Sequence, residues 1–247
     1  MFFQEDPGTS WAGSIAACME YPHNRPYTAD DLVRIITLLR DPVNGCPWDK
    51  VQTHTSIRMN FLEEAYEAVD ALDLDDPVLM CEELGDVLMQ VAFHTCMEQE
   101  TGRFTWEQVC DGVCQKLIER HPNIFGTQPG YEGITDWDAL KNKEKGRRTL
   151  ADDLESVPRA MPALMRAAKL QKRAARHGAA LQGADAAALA DAAENLQTAQ
   201  PASAQAEQAV GELLFAAANL ARQAGVDPEQ ALQKANEAFC TAAGPVA

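Results

Sequence analysis

Ten Asp and Glu residues, and no Lys, Arg or His, fill the stretch from Met59 to Gln90. Two subsets of them carry helical spacing, Glu63-Glu64-Ala65-Tyr66-Glu67 and Glu82-Glu83-Leu84-Gly85-Asp86. With no basic residue in the segment, i, i+4 ion pairing cannot neutralise it, so the compensating charge has to come from elsewhere. Carboxylate oxygens are hard donors, the kind Mg2+ takes when it is held by a few side chains and by substrate phosphates. A nest of this type suits attack of water on a polyphosphate, in which cationic charge stabilises the anionic oxygens and the leaving group. Carboxylates alone repel such a substrate. Lys116 and Arg120, one turn apart before His121-Pro122, are candidates to offset them. Trp137 offers a face for a nucleobase and Lys141, a turn later, the reach for a phosphate, although an aromatic in that setting is as often core. The bland alternative is a solvated acidic face that holds no metal. Di-iron helices need Glu-x-x-His, and the one match, Glu20-Tyr21-Pro22-His23, contains a proline. A calcium loop of the D-x-D-x-D-G type is absent, and Cys110 and Cys114 have no second ligand pair for zinc.

The elements that must position these groups are helices. Thr28 is an N-cap for a helix through Arg40, with Leu32, Ile35, Ile36 and Leu39 on one stripe and Asp30 and Asp31 in its first turn. Asp41-Pro42 ends it, and the loop Asn44-Gly45-Cys46-Pro47-Trp48-Asp49 leads to an acidic helix over roughly 57–72. The apolar stripe expected there is Ile57, Phe61, Leu62, Ala65, Val69 and Leu72. Asp75-Asp76-Pro77 reads as a turn, an N-cap and a proline at the first helical position, opening a second helix over about 77–99. So short a connection makes the two helices antiparallel, and Glu64 and Glu67 then face Glu83 and Asp86. Another helix runs from Trp106 to Arg120, where His121-Pro122 stops it; 137–144 is helix-compatible. After Val157-Pro158 to Pro162 comes a basic, Ala-rich helix over 163–177, stopped by Gly178. Beyond it, Val210-Gly211-Glu212-Leu213-Leu214 echoes Leu84-Gly85-Asp86-Val87-Leu88, which suggests two diverged copies of one helical unit. No alternating strand pattern competes, so the fold class expected is all-α. The expected division is a flexible leader (1–27), a first unit (28–150), a linker (151–162) and a second unit (163–247).

Composition narrows the function. A formal net charge of −16 over 247 residues disfavours general nucleic-acid binding, which needs a basic surface. The basic residues cluster instead, eleven of the 21 falling between Lys141 and Arg176. No run is long and apolar enough to span a membrane, and the first ten residues do not read as a secretion signal. The seven cysteines are odd in number and lack a C-x-x-C pair, so they read as reduced, buried small hydrophobes of a cytoplasmic protein.

Taken in order, Gly45-Cys46-Pro47-Trp48-Asp49 with Gln52-Thr53, Glu63-Glu64-x-x-Glu67, Glu83-x-x-Asp86 and Arg120-His121-Pro122 with Phe125 resemble the MazG nucleoside triphosphate pyrophosphohydrolases. The match continues through Trp137, Lys141 and Glu144, Leu164-Met165-Arg166-Ala167, Asn219-Leu220-Ala221-Arg222 and Leu232 to Glu237, covering about 28–240. Each motif alone is weak; their order and spacing are specific. The resemblance implies tandem all-α units, a homodimer, and Mg2+-dependent hydrolysis of nucleoside triphosphates to monophosphate and pyrophosphate. It makes Glu64, Glu67, Glu83 and Asp86 the metal ligands, within a catalytic set that includes Glu63. Lys116, Glu119, Arg120 and Trp137 line the nucleotide.

The second copy departs from the family pattern. Its best match to the acid quartet is Asp191, Glu194, Ala209 and Glu212, an alanine standing where a ligand belongs, although Lys234-Ala235-Asn236-Glu237 survives. Activity is therefore expected of the first unit, with Asp191, Glu194, Glu212, Lys234, Asn236 and Glu237 a degenerate second site. Two other functions fit the sequence. One is a non-catalytic nucleotide- or partner-binding protein on the same fold. The other is a specialised pyrophosphohydrolase acting on dUTP, dCTP or phosphoribosyl-ATP.

Overall fold

The computed structural model of the chain describes residues 20–23, 25–122, 124–126, 140, 142 and 144–244. Most of the expected leader, and most of the helix-compatible stretch 137–144, lie outside them. Among the described residues all regular structure is helical, as expected. By its internal contacts the chain divides into two compact units, residues 1–133 and 134–247.

In the first unit, α1 (Ala29–Leu39) opens on a complete capping box: Thr28 accepts from the Asp31 amide, and the Asp31 carboxylate accepts from the Thr28 N–H. The helices α2 (Arg58–Leu74) and α3 (Pro77–Glu100) form the central hairpin. Asp75 is left-handed at φ 54°, Asp76 accepts from the amides of Val78 and Leu79, and Pro77 starts α3. A connection of two residues leaves the chain no option but to reverse. The fourth helix, α4 (Trp106–Arg120), begins at a Thr105/Gln108 capping box. Its Trp106 joins Ile36, Ile57, Ala92, Phe93, Cys96 and Met97 in the core where α1, α3 and α4 meet.

Arg40 fastens the Cys46-Pro47-Trp48-Asp49 loop to this frame. Its guanidinium donates to both Glu100 oxygens (2.5 and 2.9 Å) and to the carbonyls of Asp49 (2.7 Å) and Gln52 (3.2 Å). Gly45 is required where the loop folds back, since a Cβ there would lie 2.4 Å from the Asp41 carbonyl oxygen.

One expectation about α2 needs correction. Val69 and Leu72 are about half exposed, and Ala68 and Ala71 are buried in their place. The packed seam therefore runs through Ile57, Phe61, Glu64, Ala68 and Ala71, rotated from the stripe of large side chains. Two alanines let α3 approach closely, whereas larger residues on that seam would hold the helices apart. The cysteines also differ from the reading as uniformly buried: Cys96 is buried, but Cys81, Cys114 and Cys240 are exposed.

Among the described residues, the second unit holds α5 (Leu150–Glu155), α6 (Ala163–Arg176), α7 (Ala186–Thr198), α8 (Ala204–Gln223) and α9 (Pro228–Ala243). Its main hairpin is α7 with α8, packed through buried Ala192, Ala209, Ala216 and Ala218. The helix α5 falls in the stretch read as linker and packs on α6 through a buried pair, Asp153 with Arg173 at 3.0 Å; His177 adds a second contact at 3.2 Å. Arg173 also donates to the Asp153 carbonyl (2.5 Å) and to Ser156 Oγ. Gly178 ends α6 at φ 69°, the backbone that glycine adopts without a Cβ penalty.

Candidate active site

The α2–α3 hairpin gathers Glu64, Glu83 and Asp86 so that one oxygen from each lies within 4.8 Å of the others. All three are partly buried. Glu83 and Asp86 share one face of α3 by their i, i+3 spacing, and Glu64 reaches them from the α2 seam. Glu67, a turn beyond Glu64, is exposed and stands outside this tight group. It is still close enough to hydrogen-bond Glu64 and to repel both Glu64 and Glu83. Glu63 is exposed on α2.

The electrostatics are those of a site short of positive charge. Burial, and then the Asp86 charge, push the Glu64 carboxyl above its usual range, while a hydrogen bond from Gln90 Nε2 (3.4 Å) opposes the shift. Glu83 is raised by desolvation and then by Glu67, Asp86 and Glu82. Crowded carboxylates with raised proton affinity release that strain to a proton or to a cation. The donor set is all oxygen, with no His or Cys sulfur in it, and so fits a hard divalent ion.

Residues 52–125, which carry α2, α3, α4 and every one of these acids, match the MazG nucleotide pyrophosphohydrolase domain. Over 219 residues the chain is 41% identical to the nucleoside triphosphate pyrophosphohydrolase of Escherichia coli K12, covering 85% of this chain and 83% of that protein. The chain belongs to the MazG family. It is also 39% identical over 212 residues to the nucleoside triphosphate pyrophosphohydrolase/pyrophosphatase MazG of Thermotoga maritima, covering 85% of this chain and 82% of that one. A shorter match, 35% over 151 residues, joins it to the Mycobacterium tuberculosis nucleoside triphosphate pyrophosphohydrolase, at 60% and 46% coverage.

The other MazG-type residues anticipated from sequence are distributed as follows. Lys116 and Glu119 are exposed on α4, and Arg120 is half-buried in its last turn. Trp137 and Lys141 lie outside the described residues. In the second unit, Asp191 and Glu212 line a cleft of about 610 Å³ with Gln182, Gly183, Ala188 and Phe215. Glu194 is exposed outside that lining, and Ala209, which the resemblance sets against a ligand position, is 2% exposed in the helix seam. Glu212 is engaged by Gln208 at 2.8 Å. Among the described residues, no acidic cluster comparable to that of the first unit forms here. Lys234, Asn236 and Glu237 are exposed on α9.

Two further features stand on or next to the α2–α3 hairpin. Gln90 is 7% exposed and touches Glu64. Its signal was a polar residue on the α3 stripe, four positions after Asp86. His54, His94 and Glu98 form a chain from the loop before α2 to the far end of α3; residues that distant in sequence carry no local signature.

Proposed function

We propose that this MazG protein hydrolyses nucleoside triphosphates to the monophosphate and pyrophosphate at the α2–α3 carboxylate cluster, with Mg2+ as its cofactor. The observation that carries the reading is the convergence of Glu64, Glu83 and Asp86 to within 4.8 Å, in a chain whose relatives bear that activity in their names. Glu64, Glu67, Glu83 and Asp86 hold the ion, and Glu63 belongs to the same acidic set. A bound Mg2+ supplies positive charge to the polyphosphate and makes water more acidic. The protein's own part is to preorganise the oxygens on two rigid helices and to accept a proton from the attacking water. One carboxylate of the acidic set takes that proton. Lys116, Glu119 and Arg120 of α4, with Trp137 and Lys141, bind the nucleotide.

The protein is proposed to be cytoplasmic and homodimeric. No described helix is long and apolar enough to cross a membrane. Exposed Tyr66, Val69 and Leu72 on α2, Leu84 and Leu88 on α3, and Val113, Leu117 and Ile118 on α4 support burial against a second copy. Sedimentation equilibrium should return twice the 26.9 kDa chain mass. The test of activity is a panel of NTPs and dNTPs, including dUTP and dCTP, with Mg2+ and with EDTA, scored for pyrophosphate and monophosphate. Glu83→Ala should abolish turnover while the protein remains folded. Tight nucleotide binding with no pyrophosphate released from any substrate would favour the non-catalytic alternative.

A further inference from the structure

We propose that Gln90 is a positioning residue of the carboxylate cluster: its amide N–H holds Glu64 in place, and its carbonyl oxygen is kept for a hydrogen-bond donor that a hydrated divalent cation brings. This rests on the cluster being a cation site. Glu83, Asp86 and Gln90 stand at i, i+3 and i+7 on α3, one stripe facing α2. Below them the stripe closes over: Gln90 is 7% exposed, with Ala92 and Phe93 buried in the core beyond it.

A buried amide is costly unless both of its ends are paired. Here one end is paired. Nε2 donates to Glu64 Oε1 at 3.4 Å, whereas Oε1 is buried and has no hydrogen-bond partner. A leucine or methionine of similar size would satisfy the packing with no such deficit, so packing does not account for the glutamine. Turning the amide over offers no relief. Oε1 would then face the Glu64 oxygen, acceptor against acceptor, and Nε2 would take the buried, unpaired place. Either way round, one end of the buried amide is left unpaired. What completes the arrangement is a donor arriving with the charge that Glu64, Glu83 and Asp86 attract. A hard divalent cation retains several of its waters, and those are donors. Loss of a group that orients a metal ligand typically costs about 10- to 100-fold in metal affinity.

The test is calorimetric titration of the full-length protein with Mn2+ alone and with Mg2+ alone, no nucleotide present, on wild type, Gln90→Leu, Gln90→Met and Glu83→Ala. Gln90→Leu and Gln90→Met should bind about tenfold or more weakly, within the range found for such outer partners, while their metal-free melting temperatures stay equal to or above wild type. Glu83→Ala should lose binding. If Glu83→Ala loses binding but both Gln90 variants stay within twofold of wild type, the Gln90 assignment is overturned and the cation site stands. If Glu83→Ala binds like wild type, the cation site itself is overturned. A lowered metal-free melting temperature, with unchanged affinity of the folded protein, would mean that Gln90 serves packing alone. Should one apolar variant fail to fold, the other carries the same comparison.

Discussion

At the scale of single residues, the acidic cluster trades stability for readiness to take up charge. Glu64 and Glu83 both have proton affinities raised above the ordinary glutamate value of 4.5. A raised folded pKa means that the folded state binds more protons than the unfolded one between the two values, so the folded protein loses stability as pH rises through that window. Below the ordinary value the penalty is absent; above the folded values it is complete. Glu83→Gln removes one of the repelling charges, so in EDTA its melting temperature should exceed wild type at pH 8 and converge on it near pH 4.5. A constant offset across that range would count against the account. With Mg2+ present the same variant should fall behind wild type, and its turnover should drop at least about tenfold, the loss that even the outer partners of a bound metal cause.

At the scale of elements, the hairpin is pinned at its far end by a chain of close polar contacts. His54 Nδ1 and His94 Nδ1 are 2.7 Å apart with their rings stacked, His54 Nε2 is 2.5 Å from Glu98 Oε1, and Arg103 pairs with Glu98 as well. One proton fits between the two imidazoles; a second would set N–H against N–H. Burial, and then the His54 charge, hold His94 below its usual 6.5, with Glu98 opposing. A depressed folded pKa leaves the unfolded state with more bound protons between the two values. Stability is therefore greatest above pH 6.5 and is lost as pH falls toward the folded value of His94. His94→Gln keeps a polar side chain without the titration. Its unfolding free energy should change less than that of wild type between pH 8 and pH 5.5, as read by urea denaturation; equal slopes would rule out this clasp as the source.

At the scale of the whole molecule, the two units invite separate treatment. Asp153 and Arg173 are 1% and 7% exposed and hold α5 to α6. Asp153→Ala leaves a buried, unpaired guanidinium and should destabilise the second unit by about 3–5 kcal/mol, seen in chemical denaturation. Turnover assigned to the first unit should persist wherever that unit remains folded. In the same way, Asp191→Ala combined with Glu212→Ala should leave turnover near wild type, because among the described residues these two acids join no carboxylate cluster like that of Glu64, Glu83 and Asp86. A large loss in the double variant would move the chemistry, or its control, to the second unit.

The all-α class, the ends of α1, α3 and α4 and the reversal at Asp75-Asp76-Pro77 were legible in the sequence. The caps at Thr28, Asp76 and Thr105 act over three residues, and a two-residue turn admits only an antiparallel pair. The acid spacing likewise named the helices that bear the site. Which face of α2 turned inward was not legible. Large Val69 and Leu72 promised a seam, yet small Ala68 and Ala71 form it, because the closeness of α3 depends on what both helices present at once. That rotation decided the rest: it brought Glu64 to Glu83 and Asp86, left Glu67 at the margin, and set Gln90 beneath them. Local chemistry is written along one strand of text, whereas the meeting of side chains from two helices is a property of their shared packing.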